Sequence, residues 1–594
     1  MTHPPRRLLL FAFLLMAISA STIHVHADEN APASAQLQLL LDDEWSARLR
    51  DDPLFATQSG VRQYDNRLPE VTPAAWDIRA RQDVEFERRL ASIDRKALSR
   101  ADQTNYDLFQ FILKHRNALA PYHAWRIPLT SDEGFHIDVM RMGVGVRMTS
   151  VRDYENYLSR LRAVPAYFAQ QTANLRQGIR DGFTLPAVIV PGILKVIEGQ
   201  QFESAEASPF FEPFTRFPDT ISAADQQRLR AAGAEVIGST VLPAYRDLLK
   251  FFSETYLPRA RSAIGASELP QGKGYYAALV KFFTNLDVTP AEVHAIGLAE
   301  VARIRAEMDA VILKTGFQGD FAAFLQFLRT DPRFYAKTPD ELLKDASYIA
   351  KQIDGLLPGY FGKLPRLTYS VQPVPATLAP NYTGGRYSPP PIGGTSGGEF
   401  WVNTYALEKR PLFSLTALTL HEAVPGHHLQ GSLARELEHV PPFRLDFYPH
   451  AFGEGWGLYS EKLGVEMGVY RTPYDEFGRL SYEMWRACRL VVDTGMHSMR
   501  WSRDRAMQYL AANTALSDQE VRTETDRYIA WPGQALAYKM GELKILELRA
   551  RARNALGDSF DLRAFHDAVL GSGGVPLPIL EAQVDEYISK ALRR

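Results

Sequence analysis

The octapeptide His421-Glu422-Ala423-Val424-Pro425-Gly426-His427-His428 crowds three imidazoles and a carboxylate into one short stretch. An apolar run, 413–420, leads straight into it, so the cluster is read as the end of a buried helix. His and Glu side chains gathered on a buried helix are the donors that a zinc ion and a general base require. The usual helical signature spaces its two histidines four apart, so that both project from one face. Here His421 and His427 are six apart, which in an unbroken helix turns the second ring about 120° away. His428 recovers the face but lies about 10 Å further along the axis. Pro425 removes a helix hydrogen bond and Gly426 frees the backbone, so a break there is expected to swing an imidazole back toward His421. His421 and His427 are the expected metal ligands, with His428 as the alternate. Glu422 is the expected general base acting on a metal-activated water.

A catalytic zinc commonly takes three protein ligands and keeps one position open. Downstream, Phe452-Gly453-Glu454-Gly455-Trp456-Gly457-Leu458-Tyr459-Ser460-Glu461 reads as the start of a second helix. Glu454 and Glu461 are seven residues apart and share a face. Glu454 is the expected third ligand, because the small Gly453 and Gly455 let this helix approach the first. Glu461 is then expected as the carboxylate that orients a ligand histidine. The ligand types imply one zinc ion as cofactor. Water attack on an amide also needs a donor for the developing oxyanion. Tyr538 is the favoured donor and His497 the next, while Arg500 or Arg527, the latter beside Tyr528, is placed to fork a substrate carboxylate. His136 is a weaker candidate, and His439, His450 and His566 are read as structural.

Outward from these motifs the chain reads as mainly α-helical. Thr289-Pro290-Ala291-Glu292 is a capping box with proline at the first helical position, and Gly316 is placed to end that helix. Amphipathic patterns predict further helices over 37–49, 72–98, 101–119, 151–178, 223–253 and 339–357. Residues 367–374 and 399–405 alternate like strands, with the Gly- and Pro-rich segment 379–394 between them as a loop. A small sheet just ahead of the histidine helix could pair an edge with an extended peptide.

The 594 residues exceed one ordinary core, so two lobes are expected, an N-terminal helical lobe over 28–285 and a catalytic one over 286–594. A formal net charge of -2 and the lack of a long basic run argue against a nucleic-acid partner. Arg6 and Arg7, the apolar stretch 8–17, and Val25-His26-Ala27 before Asp28 form a signal-peptide pattern over 1–27, with Ala20 as an alternative cleavage point. A periplasmic or secreted protein is expected, with no stable membrane anchor after cleavage. Cys488 is the sole cysteine, so no internal disulfide can form.

The octapeptide, with Gly453-Glu454-Gly455-Trp456 and Tyr459-Ser460-Glu461, resembles the bacterial family called domain of unknown function 885. Gly274-Tyr275-Tyr276, Asp493-Thr494-Gly495-Met496-His497, Arg527-Tyr528, Pro532-Gly533-Gln534 and Tyr538 extend the resemblance over most of the mature chain. That family is grouped with zincin-like metallopeptidases. More distantly the layout is similar to helical peptidases such as thimet oligopeptidase, angiotensin-converting enzyme and carboxypeptidase Taq. The resemblance implies a large helical zincin-like peptidase fold, with a small sheet beside the active-site helix and a deep cleft between helical lobes. The expected function is an exported zinc metallopeptidase acting on oligopeptides. The alternatives are a zinc hydrolase of a non-peptide amide or ester, or a non-catalytic peptide-binding protein derived from a peptidase.

Overall fold

The computed structural model describes residues 32–130, 133–144, 146, 148–376, 378–390 and 396–593. The expected signal peptide, 1–27, lies outside the described residues, and so does 391–394 of the expected loop.

Helices dominate, and their ends follow the local chemistry. The Thr289 capping box opens the helix Pro290–Thr315, and Gly316 closes it at a φ of 71°. The pattern over 151–178 forms Val151–Asp181, opened by a Ser150–Asp153 capping box. The patterns over 37–49, 101–119 and 339–357 form Ala33–Asp51, Arg100–Leu119 and Pro339–Leu356. The pattern over 72–98 stops earlier, at Ala91. The stretch 223–253 is helical but not uniform: Ala223–Val236 and Leu242–Lys250 are joined through a wider π turn, Ile237–Val241. Pro243 lacks an N–H and crowds the carbonyl one turn back, which loosens the turn ahead of it.

The small sheet has three strands, β1 (Tyr369–Pro373), β2 (Gly385–Ser388) and β3 (Gly398–Val402), in the order β1-β3-β2. β1 runs parallel to β3 with Tyr369 opposite Gly398, and β2 runs antiparallel with Tyr387 opposite Phe400. β2 falls inside the segment read as a loop, because four residues beginning with glycine give no alternation to detect. It forms one edge of the sheet.

The largest buried cluster joins Tyr154, Phe168 and Tyr245 to Ile304, Met484 and Val491, so helices from both expected lobes share it. A second cluster, around Trp456, Tyr459, Ile545 and Phe565, lies behind the histidine segment. Two close helix pairs frame the region. Gly297, on Pro290–Thr315, meets Leu490 on Pro473–Ser498, where an added Cβ would sit 2.7 Å from the leucine Cβ. Gly455, on His450–Glu466, meets Gly541 on Ala537–Leu556, where an added Cβ would sit 2.4 Å from the Gly541 carbonyl carbon. Among the described residues no helix is long and apolar enough to cross a membrane.

Candidate metal centre

The helix Leu415–Glu422 ends on His421 and Glu422, and a new helix, His427–Arg435, begins after four intervening residues. Between them Ala423 and Gly426 leave helical geometry, and the Val424–Pro425 peptide is cis. Gly426 fits against the end of the first helix so tightly that a Cβ there would lie 1.9 Å from the His421 carbonyl oxygen. The turn brings the His421 and His427 rings to 4.8 Å, nearly perpendicular at 89°.

Glu454, in the first turns of His450–Glu466, completes a trio. Its Oε2 lies 3.6 Å from His421 Nε2 and 3.4 Å from His427 Nε2. All three candidate ligand atoms fall within 4.8 Å of one another. Ligands about 2.0–2.1 Å from one tetrahedral ion lie about 3.3 Å apart, so two of the three separations already match. Two imidazole nitrogens and one carboxylate oxygen are also the donor set of a catalytic zinc with an open position.

The imidazoles and carboxylates of the trio hold one another's charge. Burial alone would lower the His421 pKa, yet Glu454 and Glu461 outweigh it and raise it to about 10. Burial would raise Glu454, but His421 and His427 hold it well below the carboxylate range. Glu461 Oε1 takes the other face of the His421 ring, 2.8 Å from Nδ1. Gly457 makes room for that ring, since a Cβ there would lie 2.6 Å from His421 Cε1.

His428, the alternate ligand, turns the other way. Its Nδ1 is 3.2 Å from the Tyr387 hydroxyl and 3.3 Å from Ser432 Oγ, and its ring lies 4.5 Å from that of Tyr369. Burial lowers its pKa to about 4. It ties the second helix to the sheet. Glu422 reaches β2, where its Oε2 accepts the Tyr387 N–H at 2.8 Å.

The other candidates separate by burial. Tyr538 lies over the His421 ring at 6.5 Å, nearly parallel at 19°, with the Arg489 guanidinium 4.4 Å from its own ring. Arg527 donates to Gln534 Oε1 at 3.0 Å and pairs with Glu524 at 3.4 Å. Burial works against its charge, but Glu524 and the Tyr538 and Tyr528 phenols raise its pKa well above the usual value. Tyr528 is buried, and its hydroxyl accepts from Trp485 Nε1 and Arg489 Nε. His497 is not brought to the trio: it is fully buried, its Nδ1 accepts the Ala266 N–H at 3.0 Å, and its Nε2 donates to the Tyr528 carbonyl at 2.9 Å. Arg500 is also held apart, with its side chain 80% exposed and Glu268 at 3.8 Å. His136 is enclosed in the largest core cluster region, where neither ring nitrogen has a partner.

Two residues of the site were not legible in the sequence. Tyr448, just before the Glu454 helix, donates its hydroxyl to Glu454 Oε1 at 3.2 Å. Its trace in the sequence is Gly453, where a Cβ would lie 2.2 Å from the Tyr448 ring, so that glycine accommodates a phenol rather than a helix. Tyr387 holds both Glu422 and His428 from the overlooked strand β2.

A bacterial family of unknown function, DUF885, matches this chain over residues 53–584. A crystal structure of a candidate lipoprotein from Colwellia psychrerythraea superposes with a TM-score of 0.87 at 30% identity, covering 94% of this chain and 100% of that one. A candidate lipoprotein of unknown function from Shewanella oneidensis shares the fold, with a TM-score of 0.74 at 16% identity, covering 95% of this chain and 100% of that one. No curated protein matches. With nearly its whole length matched, the chain belongs to the bacterial family of unknown function DUF885.

Proposed function

We propose that this protein is a zinc-dependent hydrolase of the zincin-like kind that cleaves peptide bonds of oligopeptides in a cleft between helical lobes. The observation that carries the reading is the convergence of His421 Nε2, His427 Nε2 and Glu454 Oε2 beside Glu422. A zinc ion held by those three groups would polarise the scissile carbonyl and acidify a water molecule.

The chain's own residues divide the remaining work. Glu422 takes the proton of the attacking water and passes it to the leaving amine. The Tyr387 N–H fixes one Glu422 oxygen, which leaves Oε1 for the proton. Tyr448 holds the outer oxygen of Glu454, so that Oε2 faces the two imidazoles. Tyr538 presents its phenol to the developing oxyanion, with Arg527 beside that hydroxyl. β2, as an edge strand, aligns an extended peptide beside Glu422. The signal-peptide pattern and the lipoprotein description of the Colwellia relative support an exported, envelope-located enzyme.

The test is metal analysis of the purified mature chain, paired with Glu422→Gln and a broad peptide library. The expected result is one zinc per chain in both proteins, with turnover only in the parent. A parent that takes up no stoichiometric zinc, or a Glu422→Gln variant that cleaves at the parental rate, overturns the reading.

A further inference from the structure

The carboxylate that braces His421 has a cation of its own. Arg486, on Pro473–Ser498, places Nη2 3.4 Å from Glu461 Oε1, the same oxygen that meets His421 Nδ1 at 2.8 Å. All three groups are buried, with His421 at 2%, Glu461 at 1% and Arg486 at 5% exposure. Among the described residues Arg486 pairs with no other carboxylate, and no other arginine or lysine pairs with Glu461. Aromatic walls hold the guanidinium in place: its carbon lies 4.6 Å from the Tyr482 ring and 4.6 Å from the Trp485 ring. Nη1 is tied to the Tyr482 carbonyl at 3.3 Å. Three neighbouring elements therefore form one line, from Arg486 through Glu461 to His421.

We propose that Arg486 is a positioning residue of the metal centre, acting through Glu461; this rests on the reading of His421, His427 and Glu454 as that centre. A carboxylate as deeply buried as Glu461 is costly without a partner cation. Arg486 supplies the countercharge and fixes the carboxylate against the imidazole. Glu461 then accepts the Nδ1–H of His421, which turns Nε2 toward Glu454 Oε2 and His427 Nε2. Without Arg486 the buried carboxylate keeps, among the described residues, only the His421 ring as a partner, and that ring loses its fixed orientation. The planar guanidinium between two rings suits this role better than an ammonium would.

The experiment measures zinc affinity by chelator competition and the visible absorption of the cobalt-substituted protein, for the mature chain and for R486Q, R486K, E461Q and R486Q/E461Q. R486Q is expected to bind zinc about 10–100-fold more weakly with an altered cobalt spectrum, and R486K to recover only part of the loss. In the E461Q background, where no buried anion remains, R486Q is expected to add less than about a twofold change. R486Q binding zinc as tightly as the parent overturns the proposal, and so does an equal loss in both backgrounds. Should R486Q alone fail to fold, the double variant decides: affinity matching E461Q supports the proposal, and affinity weaker by about tenfold or more overturns it. A parent chain that binds no zinc removes the metal centre and this inference together, whereas a zinc-binding parent matched by R486Q removes this inference alone.

Discussion

Tyr538 and His497 offer comparable donors to an oxyanion, and their surroundings tell them apart. Both ring nitrogens of His497 serve backbone groups, so His497→Gln is expected to cost stability by about 1–3 kcal/mol, read by urea titration, while the folded variant keeps its zinc affinity. Tyr538 lies against His421, and Tyr538→Phe is expected to lower kcat by about 10²–10³-fold with zinc binding unchanged. A Tyr538→Phe enzyme with parental kcat would remove that phenol from the chemistry. Residue types alone marked out His421, Glu422 and His427, because a crowd of nitrogen and carboxylate donors is rare in a short stretch, and Glu454 stood out in the Gly-flanked helix start at 452–461. They did not separate His427 from His428, since the direction of each ring depends on the turn at 423–426. They also missed Tyr448 and Tyr387, ordinary aromatics whose importance comes from tertiary contacts with Glu454 and Glu422.

At the scale of elements, glycines decide how the site is assembled. Gly457→Ala would place a methyl 2.6 Å from His421 Cε1, and the ring must shift to admit it. The expected outcome is a folded variant with zinc affinity weaker by about tenfold or more, measured by competition titration. Gly541→Ala would place its Cβ 1.8 Å from the Ala451 carbonyl oxygen, parting the helix His450–Glu466 from Ala537–Leu556. A loss of about 1–3 kcal/mol or more in chemical denaturation is expected, since backbone cannot yield as a side chain can. The long helices were legible because their caps and periodicity are local, as at Thr289 and Gly316. β2 was not, because a four-residue edge strand is defined by its pairing to β3 rather than by its own pattern.

Across the whole molecule, buried ionisable groups set the response to acid. Burial lowers the pKa of His136, His497 and His566 to about 4 each, and all three are fully enclosed. The unfolded chain protonates these rings near the usual value, so their stabilisation is complete above about pH 6.5 and is lost as pH falls toward 4. Asp493 opposes them: burial raises its pKa to about 7, beside Tyr276 and the Gly533 N–H, so its contribution is lost as pH rises through that value. Among these four groups the three histidines take up protons on unfolding between pH 4 and 6.5 while Asp493 releases one, so together they favour unfolding as pH falls. Urea titrations at pH 5 and pH 7 test this. A marked loss at pH 5 is expected, and equal stability at both would contradict the burial of these rings.

The most direct test of the metal centre is an anomalous-difference map from crystals grown with zinc and measured at the zinc absorption edge. The predicted result is a single peak touching His421 Nε2, His427 Nε2 and Glu454 Oε2, with His428 still bound to Tyr387. A map with no peak among those three atoms, or with its peak on His428, would contradict the account.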